Sequence, residues 1–584
     1  MKKILLIAAL CAVLPRTAGA QVRKEVEVTK EYIPSVEQAP KLPIAPDMTD
    51  TTQMRPEIAY AVSPFALNSP LELQPIHPTT VTFWNFNRPE LCYLKAGAGY
   101  PLNSALDFHV ATQHPNTGYA LGYIHHEGRY ADIRNDFDLK NKSMRMFNRA
   151  GAAAGKYIGK HIIEAAASYE NRLSHRYGAY IDPSIAGWFP VAPGARVNYG
   201  DADFAFRIGD DFQDLSRVNF ELAAQCNLFF DQSVWTSNDN RPRQTTLHAS
   251  GKLARAFGRH RFSLEAGYDR YAGHRSITAL EEHVFRGSIR YGAETRMTNF
   301  EVGLDYYRDR ISGTKDENYF LPFVRLSFNL GTKKIRPFLD VDGSFRANDY
   351  RSLTRQCPYV TPGTLQTKSS VDYKTRLGIS GNLWRERLAY RLYAAFSLNN
   401  DHNYWYSTGI YDAAAQRVLA AALTLQPAQA RQTVTSFHGE AEFHPVNALR
   451  IELGLHANLY DDNLDFGNGV PKFEGNFGIR YSVKQISFGV SLAGQTARKW
   501  TLLYTDIVNA PETDETGTES SDIAERGTFK VPATMNLQAT FDWRISQLVG
   551  IFVEGDNLLN HKLYRQPWYP EYGANFTLGV KLAF

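Results

Sequence analysis

The chain has 584 residues, with 64 Lys plus Arg against 60 Asp plus Glu and a formal net charge of +4. Hydrophobic residues make up 43% and the mean hydropathy is −0.36. These values exclude a polytopic helical membrane protein, which needs several apolar runs of about 20 residues. The near balance of charge leaves no nucleic-acid footprint.

Lys2 and Lys3 precede an apolar run from Ile4 to Leu14, and Ala18-Gly19-Ala20 follows. A basic start, a short apolar segment and an A-x-A site predict a signal peptide over 1–20, cut after Ala20. Cys11 follows the bulky Leu10 inside that run and reads as a small apolar residue, not a lipid-attachment site. Residues 21–89 are rich in proline, from Pro34, Pro40, Pro43 and Pro46 to Pro70, Pro75 and Pro78. Proline fixes φ and removes a donor. The stretch is therefore predicted as an extended periplasmic arm, with a disordered tail as the alternative.

From 90 to 584 the pattern has period 2. In the last segment Phe576, Leu578, Val580, Leu582 and Phe584 share one face, opposite Asn575, Thr577, Gly579, Lys581 and Ala583. Ile451, Leu453 and Leu455 alternate with Arg450, Glu452, Gly454 and His456 in the same way. Runs of about 10 residues are enough to cross a bilayer as tilted strands. Charges such as Glu452, Asp542 and Lys581 on the polar faces cannot enter a dry core without partners. A wide barrel with a wet lumen takes them, and closure leaves no unpaired edge in hydrocarbon.

The fold class expected is all-β: a transmembrane antiparallel β-barrel of about 22 strands with an extended N-terminal arm. The strands begin near residues 90, 105, 117, 142, 161, 196, 216, 243, 260, 281, 298, 318, 335, 370, 386, 431, 448, 472, 485, 531, 547 and 572. A secreted array of β-sandwiches is the rival; it would show shorter strands and apolar inward faces. Short connections such as Phe257-Gly258-Arg259-His260 and Val483-Lys484-Gln485 alternate with long ones near 174–195, 231–242, 348–368, 400–430, 461–471 and 499–530, with extension of a hairpin as the alternative for 404–425. Short turns on the periplasmic side and long outer loops are the habit of outer-membrane barrels, which puts the C-terminus in the periplasm. Trp384, Trp405, Trp500, Trp543 and Trp568 fall near strand ends, where interface girdles place such rings.

Little in the sequence carries bond-making chemistry. There is no G-x-S-x-G and no H-E-x-x-H. His125-His126-Glu127 is the densest histidine cluster, but neighbours in a strand point to opposite faces. Cys92, Cys226 and Cys357 have no disulfide or metal spacing. No enzyme, catalytic residue, metal or cofactor is expected. Asp461, Asp462, Asn463, Asp465 and Gly467 are oxygen-rich without the spacing of a calcium loop. Glu512, Asp514, Glu515, Glu519, Asp522 and Glu525 form a second acidic stretch, read as a surface loop. Tyr404, Trp405 and Tyr406 are loop candidates for stacking on a ligand ring, or else members of the outer girdle.

The stretch Val553-Glu554-Gly555-Asp556-Asn557-Leu558-Leu559-Asn560-His561-Lys562-Leu563-Tyr564 resembles the "V…NLLN..Y" hairpin of TonB-dependent receptors. Gly573 to Phe584 resembles the family's closing strand, G-R-x-F-x-x-G-x-x-x-x-F, with Ala574 in place of the arginine. A terminal Phe584 on an amphipathic strand also resembles the signal read by the barrel-assembly machinery. The resemblance covers about 30 residues, with the barrel of about 22 strands as loose support. It implies an outer-membrane barrel of a Gram-negative bacterium, in solute transport or uptake and set in outer-membrane lipid. Residues 21–89 are too few for the family's plug and lack its glycine motifs, so a plug-less member is expected. Val26 to Pro34 resembles the start of plug-less members and also a TonB-box-like peptide, beside the plainer reading as an extended tail. Coupling to TonB would follow only if a plug came from elsewhere. A scaffold subunit with lipoprotein or periplasmic partners is the alternative function.

Overall fold

The structure is a computed structural model. It describes residues 91–584 except 113–116, 184, 186–191, 235–240, 363–367, 413–416, 422–424, 461–468 and 507–524. The chain divides into two units, Met1–Pro64 and Phe65–Phe584, and all described residues lie in the second. Ala20, the arm over 21–89 and the acidic residues at 461–465 and 512–522 lie outside the described residues.

The described chain is a closed antiparallel barrel of 22 strands. They are β1 (Cys92–Tyr100), β2 (Asn103–Ala111), β3 (Gly118–Arg129), β4 (Arg145–Ile158), β5 (His161–His175), β6 (Arg196–Asp210), β7 (Asn219–Asp231) and β8 (Arg243–Phe257). There follow β9 (His260–His274), β10 (Glu281–Glu294), β11 (Thr298–Ile311), β12 (Glu317–Phe328), β13 (Arg336–Arg346), β14 (Ser370–Leu383) and β15 (Leu388–Asp412). The last are β16 (Leu425–Val446), β17 (Leu449–Tyr460), β18 (Phe473–Val483), β19 (Ile486–Gln495), β20 (Thr534–Arg544), β21 (Val549–Asp556) and β22 (Asn575–Ala583). Each strand pairs with the next, and β22 closes on β1 from Tyr93↔Ala583 to Tyr100↔Phe576. Beyond that ladder, Cys92 and Phe584 exchange both backbone hydrogen bonds, at 2.7 and 3.0 Å.

Alternation sorts the side chains. Leu222, Phe204, Leu264, Ile289, Leu304, Leu392 and Phe437 face outward and are exposed, as lipid-facing residues are. Phe576, Leu578, Val580 and Phe584 lie on that outward side, all exposed. Among the described residues no helix is long and apolar enough to cross a membrane, so strands make the crossing.

The two ends of the barrel differ. One end carries both the C-terminus and tight turns such as 159–160, 258–259, 447–448 and 484–485. The other carries the long connections. Of the two readings of 400–430, a long connection or an extended hairpin, the described residues are mostly hairpin stem. After a bulge between Asn399 and His402, residues 402–407 of β15 pair with 425–430 of β16. Polar and aromatic residues mixed along 402–406 hide the period-2 pattern there.

Candidate functional site

Two features stand out: a lumen lined with paired charges, and a cap built from the long connections.

The inward row carries both signs on nearby strands. Lys95 of β1 reaches across β22 to Glu554 of β21 at 2.7 Å. Arg207 of β6 lies between Glu164 of β5 and Glu221 of β7, at 2.9 and 3.1 Å. Arg290 holds Asp305 at 2.6 Å, and Arg376 and Lys581 pair with Asp342 and Asp542. Each pair meets the cost of placing charge inside a protein by giving it a partner. His125 and His126 separate as their spacing predicts. His125 bonds the inward Asp107, whereas His126 bonds Ser104 and Asn148 at 2.8 and 2.6 Å.

At the long-loop end the connections converge. Tyr177 leaves β5, Tyr359 lies between β13 and β14, and Tyr569 lies between β21 and β22. These positions are about a third of the circumference apart, yet the three rings meet. Tyr359 stacks on Tyr569 with centroids 3.9 Å apart, and Tyr177 packs edge-on to Tyr569 at 5.1 Å. The Tyr177 hydroxyl donates to the Pro570 carbonyl at 2.9 Å. Gly178 permits the approach: a Cβ there would lie 2.8 Å from Cγ of Tyr569.

A backbone bridge joins connections that leave nearly opposite strands of the barrel. Ile181 and Tyr180, after β5, pair with Ala420 and Ala421, after β15. The Asp182 N–H donates to the Leu419 carbonyl at 2.7 Å. The outer hairpin of Arg498–Asp506 and Glu525–Val531, between β19 and β20, adds in parallel to the extended end of β15.

The connection between β13 and β14 contains the one helix named here, α1 (Tyr350–Gln356), capped by Asp349, whose side chain accepts from the Ser352 N–H. It is latched to the inner wall of strands far from its own origin. Arg351 reaches Asp201 and Asp203 of β6 at 2.7 and 3.1 Å. Arg355 reaches Asp201 and Glu170 at 2.9 and 3.2 Å. The Tyr350 hydroxyl donates to Asp231 of β7 at 2.6 Å, and Gln244 of β8 donates to Asp349 at 2.6 Å. Beneath the helix lies an apolar cluster with Tyr199, Phe229, Leu353, Cys357, Trp405, Trp500 and Trp568. Burial pushes the Cys357 thiol up to about 12 and the hydroxyls of Tyr350, Tyr177 and Tyr569 well above their ordinary range. All four stay neutral.

No protein-family model matches the sequence, and no curated protein matches it. Solved structures do match in fold. The siderophore receptor PirA from Acinetobacter baumannii aligns with a TM-score of 0.61 and 12% identity, over 85% of this chain and 81% of that one. The FrpB iron transporter from Neisseria meningitidis (F5-1 variant) gives 0.63 and 11%, over 85% and 83%. FpvA of P. aeruginosa, in complex with a heterologous pyoverdine, gives 0.60 and 10%, over 85% and 72%.

The fold is that of a siderophore-receptor barrel.

Within this receptor fold, the residues picked from the sequence are found in new company. Tyr404 and Trp405 are 2% and 8% exposed, and Trp405 packs in the cap cluster. The Tyr406 hydroxyl donates to Gln426 at 2.7 Å. Of the five tryptophans assigned to girdles, Trp384 and Trp543 are exposed at the short-turn end, whereas Trp405, Trp500 and Trp568 are buried in the cap. Tyr177, Tyr359 and Tyr569 escaped the sequence reading. For two of them the one signal is an aromatic beside a proline in a long connection, Pro358-Tyr359 and Tyr569-Pro570; Tyr177, between Arg176 and Gly178, has none. Among the described residues, no group of three His, Cys, Asp or Glu is placed to hold a metal ion.

Proposed function

We propose that this barrel takes up a solute across the outer membrane. The solute binds on the loop side, the cap parts, and the charged lumen passes it inward. The pairing of 180–181 with 420–421 is the observation that carries this reading. A wide barrel with a tie across its mouth suits capture and gated entry, not open diffusion. Paired charges along the lumen suit a polar solute, which exchanges water for protein partners as it moves. Ferric siderophores, named for several of the similar structures, are the first class to try.

On this reading Tyr404, Trp405 and Tyr406 meet a ligand only after the cap opens. Residues 21–89 act as a periplasmic arm in place of a plug, exposed after cleavage at Ala20. Phe576, Leu578, Val580, Leu582 and Phe584 present the outward row that the assembly machinery reads.

The test is conductance in planar bilayers, comparing the mature chain with a deletion of residues 21–85. Silence in the full chain supports a gated barrel: continued silence after deletion puts the stop in the cap, whereas steps after deletion put it in the arm. Large, stable conductance in the full chain overturns gating. Ferric siderophores are then added while tryptophan fluorescence is read, because Trp405, Trp500 and Trp568 report on the cap directly.

A further inference from the structure

We propose that the outward face of β8–β12, at the long-loop end, binds the phosphorylated headgroup of the outer-leaflet glycolipid. The proposal concerns the outside of the wall and does not depend on what crosses the lumen.

The same order of residues repeats on neighbouring strands. Reading outward along the lipid-facing row of β11, Val302 and Leu304 give way to Tyr306, then Arg308 and Arg310. Along β9, Phe262 and Leu264 give way to Tyr268, then Arg270 and His274. The apolar residues are exposed to hydrocarbon. The tyrosines sit on rings of the apolar row, Tyr306 on Phe320 at 5.1 Å and Tyr268 on Phe285 at 5.0 Å. Such rings mark the headgroup level. The arginines therefore stand at, or just above, the phosphates of the leaflet.

Register brings the cations together. His283 of β10 is the direct ladder partner of both Arg270 and Arg310. With strands about 4.8 Å apart, the three side chains span about 10 Å in one row. The side chains of Arg270, Arg308 and Arg310 are 44%, 47% and 55% exposed. Arg243, Arg275 and Lys315 extend the patch, all exposed. Among the described residues only Glu281 and Asp316 offset these six cations on this face. Exposed ion pairs of that kind are weak and screened by salt, so they yield to a phosphate. The lumen-facing acids of the same strands, Asp269, Asp305 and Asp309, point the other way and are buried. Arginine binds phosphate oxygens through two parallel N–H groups, and acyl chains of the same molecule would lie on the apolar row beneath. An acidic soluble partner would leave that apolar row and the tyrosine belt unused, which favours the lipid.

The test uses the full mature chain in detergent, with three probes: a bis-phosphorylated acylated disaccharide, its dephosphorylated form, and inorganic phosphate. Bound lipid is counted by native mass spectrometry. The expected result is retention of the bis-phosphorylated lipid alone, cut at least fivefold in R270Q/R308Q/R310Q and unchanged in R134Q, which removes an exposed cation elsewhere. Heat-resistant gel mobility checks that each variant is folded, and R310Q alone, expected at about half the wild-type retention, covers a triple variant that is not. Equal retention by wild type and the folded variants overturns the proposal. So does equal retention of the dephosphorylated lipid, displacement by millimolar inorganic phosphate, or a patch-dependent dimer without bound lipid.

Discussion

The wall and the cap are held by different forces. The wall is a continuous backbone ladder in which each strand has two neighbours and no edge is left open. The cap has only short backbone pairings, among them the two-residue bridge, one added hairpin and a single bridge between Val360 and Leu425, and between them side chains: stacked tyrosines, buried tryptophans and the arginine latch of α1. Backbone ladders are cooperative and open together, whereas side-chain contacts between loops open locally at lower cost. The difference assigns permanence to the wall and movement to the cap.

The comparison breaks first at the seam. Gly579 faces Phe552 and the Ala96 carbonyl, and any side chain there collides with both. Gly579→Val is expected to cost about 3 kcal/mol at the closing ladder and to abolish the heat-resistant band on gels. A band of wild-type strength would show that the seam does not govern closure. Next comes the latch. Asp201→Asn weakens the contacts of Arg351 and Arg355, by about 2 kcal/mol. Amides of 350–356 should then exchange about 30-fold faster, while those of the wall do not change.

Gly178→Val drives a wedge against Tyr569 and should cost about 1–2 kcal/mol. Its effect is confined to the cap: proteases cut the loops and the barrel keeps its heat resistance. Cys357 sharpens the point through pH. Closed, the cap holds this thiol protonated up to about 12, against an ordinary 9.0. That contribution is intact below pH 9 and drains away as pH climbs from there toward 12. Maleimide labelling of Cys357 should be slow at pH 8, accelerate above pH 9, and run about tenfold faster in Gly178→Val at pH 8. The smallest effect belongs to Arg134→Gln, which breaks the exposed Arg134–Asp138 pair; stability should move by less than about 1 kcal/mol.

The wall was legible because each strand repeats one rule, polar in and apolar out, and the paired segments expected near 90 to 572 begin within three residues of the strands observed, save the one expected at 431, which begins at Leu425. The face of each histidine at 125 and 126 followed from the same rule. The cap obeys no period. Tyr177 bonds a carbonyl 393 residues away, and nothing near either residue announces the other. Trp405, Trp500 and Trp568 look like girdle residues in sequence because both settings want a large ring beside a polar segment. Only the crossing of loops from distant strands separates the two.

The bridge between 180–181 and 420–421 has a mechanical consequence. A thin-walled tube flattens easily into an oval. A tie across a diameter resists that distortion, as a spoke keeps a wheel round. Releasing the tie would let the rim change its outline, so that lateral pressure from the surrounding membrane would reach the cap.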